Sequence, residues 1–411
     1  MARPINIGFN MTVFKKTIFL VTILCFSSCN ANVLNTQSLD ISTSKLSSAT
    51  SVPSDIEKSK TQYSDSTKES LDSSYLISSN ENTASSYPSS LSDACEEEPK
   101  EDWRIQIEER VEQLNEFREQ SLENETFCFY TDPHCFSPTG DYSFDKEALD
   151  YAFNILETAE EMSNSLFVVC GGDVLNNNDT KSQACYKLGY YNALMKQCFK
   201  KSFYLVGNHD TNYQGDTYIN SRDYNSCMLS QETINDILYD GSKSYYRIDS
   251  DISSYYCFDS GIELTNTITP YQKEQVEWFA RSLLLETKLH INIFIHISFL
   301  YGNVKEGLLM SDISRVVSGY NSKMLFNIYG KTYDYRYANG NIHFVNSGHD
   351  HRDVNGFSSS GIPIFLTRTF SSPEIATQPT FDLVFVDYSN ARIVLLRIGD
   401  GDNREFSIPF C

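Results

Sequence analysis

The sequence reads as a layered α/β fold, an α+β arrangement in which a central two-sheet β-sandwich is flanked by helices. Two observations lead there. From residue 103 onward short apolar runs alternate with helical patterns, and between residues 342 and 398 the chain turns to consecutive strands. The composition supports it: 40% hydrophobic and 13% aromatic residues supply a sizeable core, and 26 Tyr with 26 Phe favour a sheet-rich interior.

In chain order, Arg104 to Gln120 places Ile105, Ile107, Val111, Leu114 and Phe117 at helical spacing among good helix formers. A strand follows at Phe127–Tyr130, a helix at Lys146–Met162, a strand at Leu166–Cys170, a helix at Ala184–Phe199 and a strand at Phe203–Val206. Gln272 to Leu285 is amphipathic through Val276, Phe279 and Leu283, and a strand is expected at Ile291–Ile297. Strands close the chain at Ile342–Val345, Ile362–Thr367, Leu383–Val386 and Ile393–Ile398. No internal repeat is present.

Ahead of the folded part, Lys15 and Lys16 precede an apolar run from Thr17 to Phe26 and then Ser27, Ser28 and Cys29. A positive region, a short hydrophobic run and small residues form the grammar of an export signal over residues 1–29. The run is too short to span a bilayer comfortably. Small residues just before a cysteine resemble a bacterial lipobox, which makes Cys29 a candidate for lipidation and membrane anchoring; an ordinary cleaved signal is the alternative. Met11 is a second candidate start. Residues 30–102 are rich in Ser, Thr and acids, with little apolar periodicity, and read as a disordered tether. The folded domain is then 103–411.

The formal charge of −21 disfavours a nucleic-acid binder, which needs the opposite sign to neutralise phosphates. It also means that any phosphate site must carry its own concentrated positive charge, such as metal ions. The eleven cysteines are scattered without a CxxC pair. Several lie in apolar runs, as in Phe167-Val168-Val169-Cys170, which favours buried thiols, while disulfides stay open in an oxidising compartment.

Five clusters at or near strand ends carry chemistry: Asp132-Pro133-His134, Gly172-Asp173-Val174-Leu175-Asn176, Gly207-Asn208-His209-Asp210, His296, and Gly348-His349-Asp350-His351. Five of the seven histidines fall within them. Of the other two, His343 reads as a packed or exposed strand residue, and His290 is given no role. Open α/β sheets deliver side chains to one edge beyond their carboxyl ends. Alternate residues of an extended chain share a side, so Asp132 with His134, and His349 with His351, are expected to face one way for that reason. Glycine before a ligand lets the backbone approach an ion closely. Carboxylate, imidazole and amide oxygen together suit zinc, iron or manganese. Singly the clusters have plain readings: Asp132-Pro133 or Gly207-Asn208 as turns, Asn176 as a cap, His296 as a core histidine. Together they would be five coincidences in order. Tyr213, Tyr333, Tyr335 and Tyr337 lie in loop-like stretches, and either line a substrate pocket or pack locally.

The ordered set D-x-H, G-D-x-x-N, G-N-H-D, H and G-H-x-H resembles the calcineurin-like metallophosphoesterase superfamily, from about Glu125 to Cys411. The resemblance implies a sandwich flanked by helices and two divalent or trivalent metal ions (Mn, Fe or Zn). One ion would lie on Asp132, His134 and His351, the other on Asn208, His296 and His349, with Asp173 bridging. It further implies hydrolysis of a phosphomonoester or phosphodiester substrate by a hydroxide held between the ions, with His209 steadying the transition-state oxygens or protonating the leaving group. Many relatives orient that histidine with an aspartate three residues after the bridging one. Asn176 stands there in this chain, and Asp210 is the candidate substitute. A non-catalytic metal-binding or interaction module on the same fold is the competing reading, and a nuclease is disfavoured by the charge.

Overall fold

The computed structural model describes residues 101–134, 144–216, 218–219, 243–261, 269–301, 308–371 and 379–409. The leader, Cys29 and nearly all of the tether lie outside them. Helix α1 (Glu101–Glu119), strand β1 (Asn124–Tyr130), α2 (Lys146–Ser163), β2 (Val168–Cys170), α3 (Lys181–Cys198) and β3 (Ser202–Tyr204) come first. Next are β4 (Tyr246–Asp249), β5 (Ser253–Phe258), α4 (Pro270–Leu284), β6 (His290–Ile295) and α5 (Leu308–Asn321). The chain ends with β7 (Leu325–Ile328), β8 (Lys331–Asp334), β9 (Asn341–Ser347), β10 (Val354–Phe357), β11 (Pro363–Leu366), β12 (Phe381–Asp387), β13 (Arg392–Ile398) and β14 (Arg404–Ser407).

The strands form two six-stranded mixed sheets, ordered β14-β13-β12-β1-β2-β3 and β10-β11-β9-β6-β5-β4, with β7 and β8 as a separate hairpin. In the first sheet β1, β2 and β3 run parallel, and β12 pairs antiparallel with β1 (Asn124 opposite Asp387, Phe129 opposite Asp382). In the second β5, β6, β9 and β11 run parallel.

Strand alternation builds the layers. Phe127 and Phe129 point into the sandwich with Phe294, Phe344 and Phe365 of the second sheet, while Cys128 and Tyr130 face α2 and α3 across Phe153 and Tyr191. Phe127 meets Phe294 edge-on at 5.3 Å between centroids, a favoured aromatic geometry. On the far side Ile291, Ile293 and Ile295 pack against Val276, Phe279 and Ile313 of α4 and α5. The result is a helix–sheet–sheet–helix stack in which the central strands are buried on both faces, which is why they read as continuous apolar runs.

Helix starts are set locally. Asp145 caps α2 through the Ala148 N–H at 3.0 Å. Thr180 with Gln183, and Thr269 with Gln272, form capping boxes at α3 and α4, the latter with Pro270 in the first turn. Among the described residues, no helix is long and apolar enough to cross a membrane.

Candidate metal centre

All five clusters follow the carboxyl ends of parallel strands: Asp132 and His134 after β1, Asp173 after β2, Asn208 after β3, His296 after β6, and His349 with His351 after β9. Their ligand atoms meet. Asp132, His134 and His351 offer one set of atoms all within 4.8 Å of one another; Asp173, His296 and His349 offer a second, and Asp173 also groups with His134 and His209. Asn208 Oδ1 lies 3.1 Å from His296 Nε2 and 2.8 Å from His349 Nδ1, and so belongs to the second set. His134 Nε2 and His351 Nε2 are 3.0 Å apart.

The imidazoles are aimed from behind. His134 Nδ1 meets the Leu175 carbonyl at 2.9 Å and His296 Nδ1 the Gly171 carbonyl at 2.8 Å, leaving each Nε2 directed inward. Asp132 Oδ2 accepts from Thr131 Oγ1 at 2.7 Å and from the His349 backbone N–H at 3.0 Å. Asp132 Oδ1 is buried and has no hydrogen-bond partner among the described residues. Asp173 Oδ1 accepts from the His209 backbone N–H at 2.7 Å, and Asp173 Oδ2 lies 3.0 Å from His296 Nε2.

Electrostatics follows from burying two carboxylates together. Burial alone would raise the Asp132 carboxyl, but the facing His296 and His351 hold it down at about 2. Asp173 is likewise held low against its burial by His296. Burial would depress His296, yet Asp173 and Asp132 raise it to about 10. His134 is pushed down to about 4 by burial.

The backbone departs from the alternation expected of it. Asp132, His134, His349 and His351 lie past their strands in left-handed conformations, with φ of 54°, 43°, 81° and 55°, and Asp173 joins them at 56°. Turns, not strand pleats, bring the pairs onto one rim. Such strain concentrates at functional sites held firmly from outside. Here the holding contacts are long-range: Asp132 N–H to the Gly172 carbonyl (3.0 Å), Phe370 N–H to the Thr131 carbonyl (2.7 Å) and Thr369 Oγ1 to the Asp132 carbonyl (2.8 Å). Gly348 is required, because a Cβ there would lie 1.9 Å from Thr131 Oγ1 and 2.6 Å from Asp132 Oδ2.

This convergence stands on two facing mixed sheets flanked by helices, the arrangement that the resemblance of the motifs implies. No protein-family model and no curated protein matches the sequence. Solved structures similar to the chain include a dimetal phosphatase from Danio rerio, at 14% identity and a TM-score of 0.49, covering 69% of this chain and 99% of that one. A purple acid phosphatase from yellow lupin (Lupinus luteus) seeds is 10% identical with a TM-score of 0.41, covering 69% and 54%. A phosphopantetheinyl hydrolase from Mycobacterium tuberculosis is 12% identical with a TM-score of 0.33, covering 61% and 91%.

The expected orienting partner of His209 needs correction. His209 Nδ1 is buried with no hydrogen-bond partner among the described residues, so neither Asn176 nor Asp210 orients it through that nitrogen. The fully buried Asp210 carboxylate instead accepts the backbone N–H groups of Asp173 (2.9 Å), Leu175 (3.0 Å) and Gly207 (2.8 Å), stapling the β2 and β3 loops together. Burial and the neighbouring Asp173 raise it to about 7. Asn176 is buried in the β2 loop. Tyr333 and Tyr335 pack in the outer core beside α4 and α5, away from the centre, while Tyr337 is 82% exposed. Tyr213 is half-buried just past the β3 loop. Cys128, Cys170, Cys198 and Cys257 are free thiols, three of them buried. His290 and His343 form a buried pair of their own, with Nδ1 of the first 3.1 Å from Nε2 of the second. Thr131 and Thr369, which support the β1 loop, carried no signal in the sequence, because their partners are set by tertiary contact.

Proposed function

We propose that this protein is a phosphoesterase that holds two metal ions and hydrolyses a phosphomonoester or phosphodiester outside the cytoplasm. The observation that carries the reading is the meeting of seven side chains from five loops, with Asp173 grouping with His134 of the first set as well as with His296 and His349 of the second. The chemistry of the donors fits cations: two buried carboxylates face imidazoles, one carboxylate oxygen has no partner, and two imidazole nitrogens crowd to 3.0 Å. Asp132, His134 and His351 would hold one ion; Asn208, His296 and His349 the other; and Asp173 would serve both. Ions held there would polarise a phosphoryl oxygen and acidify a water.

The chain's own groups do the rest. Leu175 and Gly171 carbonyls fix the His134 and His296 tautomers, keeping their Nε2 lone pairs turned inward. His209, tied by its backbone N–H to Asp173 and with its ring 4.9 Å from that of His134, stands at the rim. There it can donate to a phosphoryl oxygen or pass a proton to the leaving oxygen. Lys15–Cys29 and the tether support export with a lipid anchor at Cys29. The test is the full chain with manganese or zinc and chromogenic phosphate mono- and diesters. The wild type is expected to turn one of them over, and Asp173→Ala to lose both metal loading and activity while staying soluble. A fully active Asp173→Ala overturns the reading.

A further inference from the structure

Beside the β9 loop lies a charged cluster that none of the clusters read from the sequence includes. Arg397 of β13 is fully buried, with Nε 2.8 Å from Asp382 Oδ1 and Nη2 2.6 Å from Asp353 Oδ1. Arg404 of β14 reaches the same two acids, with Nη2 2.7 Å from Asp382 Oδ2 and Nη1 3.3 Å from Asp353 Oδ1. Asp382, fully buried, also accepts from Thr367 Oγ1 at 2.8 Å. Arg404 Nη1 further donates to the Leu366 carbonyl at 2.7 Å, and Arg397 Nη1 to the Asp400 carbonyl at 3.0 Å. Asp353 accepts in addition from the Arg368 backbone N–H at 3.2 Å.

The placement matters more than the count of bonds. Arg397, Arg404 and Asp382 belong to the first sheet, which also carries Asp132 and His134. Asp353 is two residues beyond His351, at the exit of the loop that the second sheet contributes. The first group of ligands is therefore drawn from both sheets, and its assembly depends on how this loop is held against the other sheet. At the loop's exit Asp353 is gripped by two guanidinium groups from the opposite sheet, while its neighbour Arg352 turns to Asp350. Asp382 and Asp353 together balance the two guanidinium charges, and the planar fork of each guanidinium fixes where it points.

We infer that Asp353 is a positioning residue: through the Arg397–Asp382–Arg404 clamp it sets the place of His351 relative to Asp132 and His134. This rests on the proposed metal centre and adds a role that the ligand motifs do not assign. Loss of the clamp leaves the left-handed turn at His349–His351 without its outer hold. The affinity of the ion bound by Asp132, His134 and His351 then falls, while the ion on Asn208, His296 and His349 is retained.

The experiment is calorimetric titration of the full chain with manganese(II) alone, for wild type, Asp353→Ala, Asp353→Asn and Asp387→Ala. Asp387 is the control, because it is a buried carboxylate at the opposite end of β12, bound by Arg392 Nε at 3.1 Å. For Asp353→Ala, one of two manganese ions is expected to bind on the order of ten- to a hundredfold more weakly, the range commanded by groups that support metal ligands. Asp353→Asn, which keeps an oxygen acceptor, should recover part of that loss, and it carries the comparison if the alanine variant does not fold. Asp387→Ala should bind both ions as wild type does. Wild-type affinity for both ions in the Asp353 variants overturns the positioning role alone, as does an equal loss in Asp387→Ala. A wild type that binds no manganese overturns the metal centre itself, and this role with it.

Discussion

Replacing Gly207 with alanine tests whether the placement of Asp173 governs the centre. Gly207 does not have a left-handed φ, so alanine is compatible with the backbone there. It would even restrict the unfolded chain, a gain of about 0.4–1 kcal/mol. The cost is steric and local. A Cβ on residue 207 would lie 2.1 Å from Asp173 Oδ1 and 2.6 Å from its backbone nitrogen, where real Cβ contacts essentially never fall below 3.0 Å. The carboxylate must therefore shift by at least 3.0 − 2.1 = 0.9 Å. Flexing the loop offers little relief, since Gly207 N–H and Asp173 N–H are both bound to the buried Asp210 carboxylate. A displacement of roughly 1 Å at a reacting group costs about a hundredfold in rate, equivalent to about 2.7 kcal/mol of transition-state stabilisation. The assay is kcat/KM on a chromogenic phosphate ester at saturating manganese, with urea unfolding measured alongside. A fall of about a hundredfold, with a stability loss of no more than about 1–3 kcal/mol for the overpacking, is expected. Gly207→Ala activity close to that of wild type would refute the claim that Asp173 is held in place for chemistry.

Two further predictions concern other parts of the chain. Burial and the neighbouring His290 depress His343 to about 3, against an ordinary value near 6.5, so the unfolded chain binds the proton more readily. Its contribution to stability is intact above about pH 6.5 and declines as pH falls toward 3, by about 2 kcal/mol at pH 5; His343→Gln should flatten the urea-measured difference between pH 7 and pH 5 by about that amount, and an unchanged difference would contradict it. Cys29→Ser, in cells that export the protein, should move it from the membrane fraction to the soluble envelope fraction, and retention in the membrane would count against a lipid anchor.

Much of the fold was legible because local rules and tertiary packing agree. The apolar spacing of Arg104–Gln120 and Gln272–Leu285 matches α1 and α4 to within a few residues. Elements went unread where they disagree. α5 contains Val316, Val317 and Gly319, poor helix formers, and is helical because Ile313, Val316, Val317 and Tyr320 bury against the second sheet. β5 reads Ser-Ser-Tyr-Tyr-Cys-Phe, without the alternation of a half-buried strand, and is buried on both faces. β10 and β14 are edge strands whose side chains are only partly covered, so their sequences carry little pattern. For the centre, the residues that converge were legible since histidine and aspartate beside glycine are unusual at strand ends. Their backbone geometry was not. Left-handed residues at Asp132, His134 and His351 are imposed by contacts from distant loops, as the role of Asp210 and the bond from Arg397 to Asp353, 44 positions apart, are imposed by the assembled sheets.

The electrostatics of the centre gives a reason why these residues sit together that does not depend on likeness to other proteins. Asp132 and Asp173 are buried within one group of side chains, a placement whose desolvation cost is several kcal/mol per charge unless opposite charge compensates it. The side chains that face them are imidazoles: His296 Nε2 is 3.8 Å from Asp132 Oδ1 and 3.0 Å from Asp173 Oδ2, and His351 Nε2 is 3.4 Å from Asp132 Oδ1. Without an ion, compensation falls to a proton on His296, which burial alone would expel and the two aspartates retain. Yet one proton cannot satisfy both acids, and Asp132 Oδ1 stays without a hydrogen bond. A cation with several open coordination positions can meet the carboxylate oxygens and imidazole lone pairs together, and on binding it would release the proton that substitutes for it. The same residues in a merely structural site would be expected to include a lysine or arginine. This chain does use that solution nearby, where Arg397 and Arg404 answer Asp382 and Asp353. The contrast between the two acid pairs, one met by fixed guanidinium charge and the other by imidazoles alone, marks the second as a place for an exchangeable cation.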